Sequence, residues 1–371
     1  MIQCIIIEHF KCFERLSLPM AALTLLTGLN AAGKSTVMQA LTLLHQTLNE
    51  NPVGDALVLN GREIALGSAD ELIDKISGRD QFAIGVEHAA GRAIWRMQVR
   101  PGAMVAPFLE KPQEIPEPLV QTLRTLTYIS ADRIGPRETY PASSSTQQNG
   151  VGARGEYTPW FVHEYADVII PDPMCCPDSL PTLKRQVEAW LASFFPGSGL
   201  EINPIPRTNL FTMRIRAGVA TDFYRTANVG YGLSHVLPVI TACLGAVGLA
   251  KRDQRIAPLV MIENPELHLH PAGQSKIGVF LARAAASGAQ MVIETHSDHV
   301  LNGIRRAVKG VEHSPILTPD QVAIHFFQLR DETKQRPQVI SPQIDKQGNL
   351  ESWPEDFFDQ YEKDLKLLIG W

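Results

Sequence analysis

The segment GLNAAGKST, residues 28–36, has the spacing G-x-x-x-x-G-K-[ST] of a loop that closes around the phosphates of a nucleotide. Its chemistry follows from its parts. Backbone N–H groups from Asn30, Ala31, Ala32, Gly33 and Thr36 would surround a β-phosphate, and a helix starting near Lys34 would point its positive end at the same anion. Lys34 would reach the β- and γ-phosphates, and Ser35 would offer its hydroxyl to Mg²⁺. A chance glycine-rich turn leaves two neighbours unexplained: the apolar strand of Leu23, Leu25 and Leu26 before the loop and the amphipathic helix of Val37, Leu41 and Leu44 after it. Hydrolysis, switching and small-molecule phosphorylation can all begin from such a loop.

Such a loop needs a carboxylate at the end of a buried strand to complete the Mg²⁺ shell. The run PLVMIENPELHLHP (258–271) supplies Glu263 after four apolar residues. The long separation from Lys34 requires a lobe between the two halves of the site. His268 and His270 flank Leu269 close to Glu263 and Glu266, and Asp298 and His299 follow later. No zinc spacing such as HExxH accompanies them, so structural hydrogen bonding is the preferred reading over a metal cluster. Arg133 and Arg137, in ADRIGPR, are candidates for contact with phosphate, a partner subunit or nucleic acid, weighed against plain solvation.

The elements that would hold these residues are legible in outline. IQCIIIEHF and LPMAALTLLTG read as two strands, and the helix after the loop should run from about Lys34 to Leu48, ending at NENPVGD. QFAIGVEH and AIWRMQVR alternate around a glycine-containing reversal and read as a hairpin. Residues 101–180 are proline-rich and weakly periodic, with 143–155 as a candidate mobile loop. Helices are expected over 181–195 and 228–249. LVMI (259–262) and QMVIET (290–295) bracket a helix as a βαβ unit with buried parallel strands. VAIHFFQL (322–329) reads as a further strand and 357–369 as a final helix. The expected organisation is 1–100 and 226–330 as the two parts of one head, 101–225 as an inserted loop-rich lobe, and 331–371 as a closing strand and helix.

Composition narrows the class without naming the task. With 371 residues, 44% apolar and 20% charged, the chain reads as globular rather than disordered. The net charge of −5 makes no global case for nucleic acid, although Arg305, Arg306 and Lys309 form a local basic group. Five cysteines, with Cys175 and Cys176 adjacent, do not form a secretory framework and read as reduced thiols. The N-terminus shows no signal-peptide pattern. The most apolar run, 236–250, is glycine-spotted and shorter than a membrane span. A cytoplasmic protein without membrane contact is the expectation.

Six segments in order resemble the ATPase heads related to the ABC, RecF and Rad50 proteins: TGLNAAGKST (27–36), YISADRIGPRETY (128–140), VGARGEYT (151–158), NVGYGLSHVLPVI (228–240), IENPELHLHP (262–271) and IETHSDHVLNGIRR (293–306). Within that clan of AAA family ATPases, the chain is similar to the ATPase part of overcoming-lysogenisation nucleases and of the Septu phage-defence system. Its tail, 353–368, is similar to the end of a subfamily whose closing domain has no assigned function. The resemblance implies an α/β fold, an ABC/RecF-like P-loop head with a mixed sheet, an inserted α/β lobe and no long coiled coil.

It also implies ATP and Mg²⁺ as cofactors and a homodimer that sandwiches two ATPs, each held by one subunit's phosphate loop and the other's signature segment. Asn228 to Ser234 stands at the signature place. Gly230 and Gly232 would permit close backbone approach, and Ser234 would present a hydroxyl at a helix start, where an ordinary helix cap is the competing reading. His296 resembles the switch histidine that touches a γ-phosphate, with Asp298 as its orienting group.

One departure stands out. ABC-type heads carry Asp-Glu where this chain has Glu263 and Asn264. Glu263 can serve Mg²⁺, but Asn264 holds water without accepting a proton, which leaves Glu266 as a substitute base and implies slow hydrolysis. The expected function is an ATP-dependent switch or scaffold that controls a separate effector such as a nuclease, or contacts DNA, in anti-phage defence. The alternative is an ATPase-regulated nuclease or DNA-repair clamp acting on nucleic acid itself; no DxD follows His296, which disfavours a nuclease of the Toprim type. A metabolic kinase and a transporter head fit the motif order less well.

Overall fold

Three strands stand where the sequence reads as two apolar runs, Ile2–Phe10, Phe13–Pro19 and Leu23–Gly28: the turn at Lys11–Cys12 follows the first run, and the break at Met20–Ala22 divides the second. A computed structural model describes residues 1–143, 150–254, 257–311, 314–330, 337–354, 357–358 and 360–369. The chain divides into two compact units, Met1–Arg124 with Glu294–Trp371, and Thr125–Ile293.

The first unit begins with β1 (Ile2–Phe10), β2 (Phe13–Pro19) and β3 (Leu23–Gly28), followed by α1 (Lys34–Glu50) and β4 (Ala56–Val58). Then come β5 (Gln81–His88), β6 (Gly91–Gln98), β7 (Val105–Glu110) and α2 (Glu117–Arg124). Six of these strands form one sheet in the order β2-β1-β5-β6-β7-β4. β5 and β6 pair antiparallel from Gln81↔Gln98 to His88↔Gly91, which is the hairpin that the alternation indicates. The buried rings of Phe10 on β1 and Phe82 on β5 meet at a tilt with centroids 5.2 Å apart. α2 belongs here because α1 holds it: His45 Nδ1 meets Leu123 O at 2.7 Å, and Asn49 Nδ2 donates to Arg124 O at 3.2 Å.

The second unit runs through β8 (Thr127–Ile129), β9 (Tyr140–Pro141), α3 (Thr158–Glu164), α4 (Leu183–Phe194), β10 (Gly199–Pro204), β11 (Leu210–Arg216) and β12 (Tyr224–Arg225). It continues with α5 (Tyr231–Arg252), β13 (Leu259–Glu263), α6 (Pro271–Ala286) and β14 (Gln290–Glu294), whose last residue already counts with the first unit. β8, β13 and β14 are neighbours in one sheet, with β8 and β13 parallel, and β9 to β12 form a second. Leu259, Val260, Met261 and Ile262 are all 0% exposed, as expected of a strand covered on both faces.

α5 is 22 residues long and extends the apolar run 236–250 at both ends. It is the one described helix with the length and apolarity to cross a membrane, and 89% of its apolar window is buried inside the fold. Its glycines serve packing: the Phe161 ring sits 2.4 Å from where a Cβ on Gly245 would lie.

The chain then returns to the first unit with α7 (Asp298–Lys309), β15 (Val322–Phe327), β16 (Val339–Ile340) and α8 (Gln360–Ile369). β15 runs parallel to β3 and antiparallel to β16. The insertion between the two ends of the first unit is therefore Thr125–Ile293, rather than 101–225, and it includes the signature segment and the acid strand. Of the expected mobile loop at 143–155, residues 144–149 lie outside the described residues. No described helix exceeds the length of α5, so no long coiled coil is present among the described residues.

Candidate nucleotide-binding site

β3 delivers the chain to Gly28 through Leu25 and Leu26, both 0% exposed. Gly28 takes φ +124°, and a Cβ there would lie 2.2 Å from the Phe327 carbonyl oxygen of β15. Gly33 takes φ +108° at the cap of α1, where a Cβ would meet the Phe13 ring at 2.4 Å. Only glycine meets both demands, the left-handed backbone and the close approach. Ala31 also sits at φ +59°, a conformation that costs a residue with a Cβ about 1–2 kcal/mol. The loop shape is set by its frame rather than by its own preferences.

Lys34 is 3% exposed. Its Nζ donates to Gly28 O at 3.0 Å and Leu29 O at 2.7 Å, so the ammonium is held by carbonyls of the loop itself. Burial pushes its pKa down, and the nearby Glu294 charge opposes that shift. Ser35 Oγ donates to the Glu294 carboxylate, with Oε1 at 3.1 Å and Oε2 at 3.0 Å. Thr36 is buried, its Oγ1 3.9 Å from Cys12 Sγ. Asn30 and Ala31 are exposed, while Ala32 and Gly33 are buried.

The loop borders a cavity of about 420 Å³ lined by Asn30 to Thr36 and also by Lys11, Cys12, Gln39, Glu294 and His296. Lys11 Nζ donates to Gln39 Oε1 at 2.6 Å along this wall, and burial lowers its pKa. His296 reaches the cavity because Thr295 N donates to Leu26 O at 3.1 Å, fastening the end of β14 to β3. Burial and the positive Lys34 hold the His296 pKa below its ordinary value, so the ring is neutral at pH 7 and has one donor and one acceptor nitrogen. Asp298 lies 3.7 Å from His299 Nε2, at the start of α7. Glu294 was not found from the sequence; its signal is a carboxylate closing an apolar strand two residues before a candidate switch histidine.

The second unit holds the other candidates. Glu263 accepts from the Tyr128 hydroxyl at 2.8 Å and from Ala131 N at 3.0 Å, so the acid at the end of β13 fastens the segment after β8. Arg133, 4% exposed, donates through Nη2 to the backbone carbonyls of Glu263 and of Asn264, the latter at 2.7 Å. Burial lowers its pKa to about 10, against the raising effect of Glu266 and Glu263. Arg133 is thus an internal brace. Glu266 is 9% exposed beside it and supplies counter-charge. Asn264 adopts φ +42°, a region that asparagine tolerates better than most residues with a Cβ.

The signature segment differs from expectation at its helix start. α5 begins at Tyr231 with Gly230 as its cap, so Ser234 lies in the first turn, 4% exposed, with Oγ lacking a described partner. Tyr231 is 58% exposed and is the large side chain that this helix end presents. Gly232 is needed for close approach to the acid-strand loop, since a Cβ there would meet His268 O at 2.8 Å. The His268 ring packs on His235 at 4.7 Å and Tyr231 at 5.8 Å, while His270 caps α6 by accepting from Ala272 N. Both histidines therefore have structural work, and no group of three metal-ligating side chains occurs among the described residues.

Comparison with known proteins places two stretches of the chain in a described family model. Residues 23–124 and 220–302 match the family model described as "AAA domain, putative AbiEii toxin, Type IV TA system", two stretches that contain the phosphate loop and every other candidate from Gly230 to His296. Residues 317–368 match "Protein of unknown function (DUF3696)". No curated protein matches the chain. Among solved structures, the chain is similar to an SMC head bound to the C-terminal winged-helix domain of ScpA, at 14% identity over 93% of this chain and 98% of that one, with a TM-score of 0.53. It is also similar to an SMC head with an extended coiled coil bound to the C-terminal domain of ScpA from Pyrococcus furiosus, at 11% identity over 100% and 98%, with a TM-score of 0.50. The fold is a mixed α/β fold of the ABC/RecF-like ATPase head type.

Proposed function

We propose that the protein binds Mg²⁺ and ATP at the phosphate loop, hydrolyses ATP slowly, and uses the nucleotide to join two copies into a homodimer that switches a separate effector protein. The observation that carries this reading is the loop itself, with Lys34 and Ser35 bordering one cavity with Glu294 and His296. Mg²⁺ would neutralise phosphate charge there, with Ser35 among its ligands. Lys34 would exchange its two carbonyl partners for β- and γ-phosphate oxygens, and the neutral His296 would donate to a γ-phosphate. Gly230 and Tyr231 would face the nucleotide of the other subunit, taking the place first given to Ser234. Support for an effector comes from the two SMC heads, each solved with a domain of a separate protein. A role in anti-phage defence, contact with DNA and a cytoplasmic location extend the same proposal from the sequence resemblance.

Calorimetry tests the nucleotide claim. Lys34→Ala should cost ATP binding about 1.5–3 kcal/mol, the worth of a charge-assisted contact, and cost ADP less. Equal ATP affinity in the variant and the parent would refute the assignment.

A further inference from the structure

The Ser35 hydroxyl points at a carboxylate that the motif order does not supply. Its Oγ lies 3.1 and 3.0 Å from the two oxygens of Glu294. Glu294 is only 6% exposed, and a buried carboxylate is costly unless hydrogen-bonded and balanced by charge. Here the Ser35 hydroxyl and the Lys34 charge do this. Ser35, Lys34 and Glu294 all line the same cavity as the loop backbone and His296, where phosphates would enter.

Two carboxylate oxygens and one hydroxyl are the hard donors that Mg²⁺ prefers. Mg²⁺ bound to a nucleotide needs only one or two such protein groups, the remaining positions going to phosphate oxygens and water. Glu263 is engaged differently. Each of its oxygens already accepts one hydrogen bond inside the second unit, from Tyr128 and from Ala131, and its backbone carbonyl is braced by Arg133.

We propose that Glu294, together with Ser35, is the divalent-cation site of this protein, and that Glu263 is a positioning residue that holds the segment after β8 against the acid strand. The inference rests on the reading of the loop as a nucleotide site and deepens it. When metal and nucleotide enter, the Ser35 hydroxyl turns from donating to Glu294 to offering its lone pair to the cation, and Glu294 loses a hydrogen bond but gains the charge that best balances it. The competing role for Glu294 is a counter-ion to Lys34 that must be displaced by phosphate.

The test uses the full chain and two readouts: calorimetric affinity for a non-hydrolysable ATP analogue with EDTA and with Mg²⁺, and electron paramagnetic resonance of Mn²⁺ added with the analogue. Glu294→Gln keeps an acceptor for Ser35 while removing the charge. It should keep the EDTA affinity and lose most of the metal-dependent gain, a drop of roughly tenfold or more for a lost charged contact. It should also release bound Mn²⁺. Glu294→Asp, which keeps the charge on a shorter side chain, provides the answer if Glu294→Gln fails to fold: it should keep Mn²⁺ bound with a weakened metal-dependent gain, and an undiminished gain would count against the inference. Glu263→Gln should retain the metal-dependent gain and lower the thermal midpoint instead. A full metal gain in Glu294→Gln, or its loss in Glu263→Gln alone, would overturn the inference. Metal-free affinity that rises sharply in Glu294→Gln, with the metal gain intact, would identify the counter-ion role. Absence of analogue binding by the parent with or without metal would refute the nucleotide reading itself.

Discussion

Asn264 is the residue at which chemistry and backbone meet. It follows Glu263, takes φ +42°, and its carbonyl accepts from the buried Arg133. A glutamate here would restore the carboxylate found in related heads but would have to adopt a left-handed backbone at a cost of about 1 kcal/mol. Asn264→Glu should therefore raise ATP turnover by about one to two orders of magnitude through general-base assistance. The same variant should melt a few degrees lower. An unchanged or reduced rate in a folded variant, followed by phosphate release, would show that hydrolysis does not wait on a base at this position. Glu266 is a weaker candidate for that task than the sequence suggested, because it is buried as counter-charge to Arg133. Motif spacing singled out Lys34 and Ser35, and the family resemblance singled out His296; all three border one cavity. Glu294 and Tyr128 were not legible, since their roles arise from side-chain contacts across 259 and 135 residues of sequence.

At the scale of elements, β15 is fixed by more than its parallel pairing with β3. His325 on this strand is 2% exposed, with Nδ1 2.7 Å from Ser341 Oγ and Nε2 2.8 Å from the Pro19 carbonyl at the end of β2. Nε2 must carry the hydrogen, because a carbonyl only accepts. Burial holds its pKa down to about 4, against an ordinary value of 6.5. The unfolded chain therefore takes up a proton as pH falls below 6.5 while the folded chain does not, so stability present above that value is lost between pH 6.5 and about 4. The loss is about 1.4 kcal/mol per pH unit across that window. Urea unfolding at pH 7 and pH 5 should show it in the parent, and His325→Gln should remove the share that His325 carries; equal pH dependence in the two would place the titration elsewhere. His235, also lowered to about 4, adds in the same direction. Strand and helix existence was legible from alternation and capping, as β5, β6, β13 and α1 show. Element boundaries were not: Lys11 at φ +53° turns the chain between β1 and β2, a conformation no residue-type signal announces. α2 and α3 are too short to display a period.

At the scale of the whole molecule, the chain places the phosphate loop and His296 in one unit and the signature segment and acid strand in the other. The sequence required an inserted lobe from the distance between loop and acid, yet its edges depend on which elements pack together, and α2 stays with α1 through His45 and Asn49. In the proposed ATP-driven homodimer, the exposed Tyr231 at the N-terminus of α5 would be the residue presented to the second copy. Tyr231→Arg should leave nucleotide binding by the monomer intact and abolish association, since bulk and charge would enter the contact while the α5 core positions remain unchanged. The most direct measurement is light scattering of the parent protein with Mg²⁺ and a non-hydrolysable ATP analogue, compared with ADP and with no nucleotide. The mass should double with the ATP analogue alone, and Tyr231→Arg should remain a monomer. A mass indifferent to nucleotide in the parent would contradict the ATP-driven homodimer.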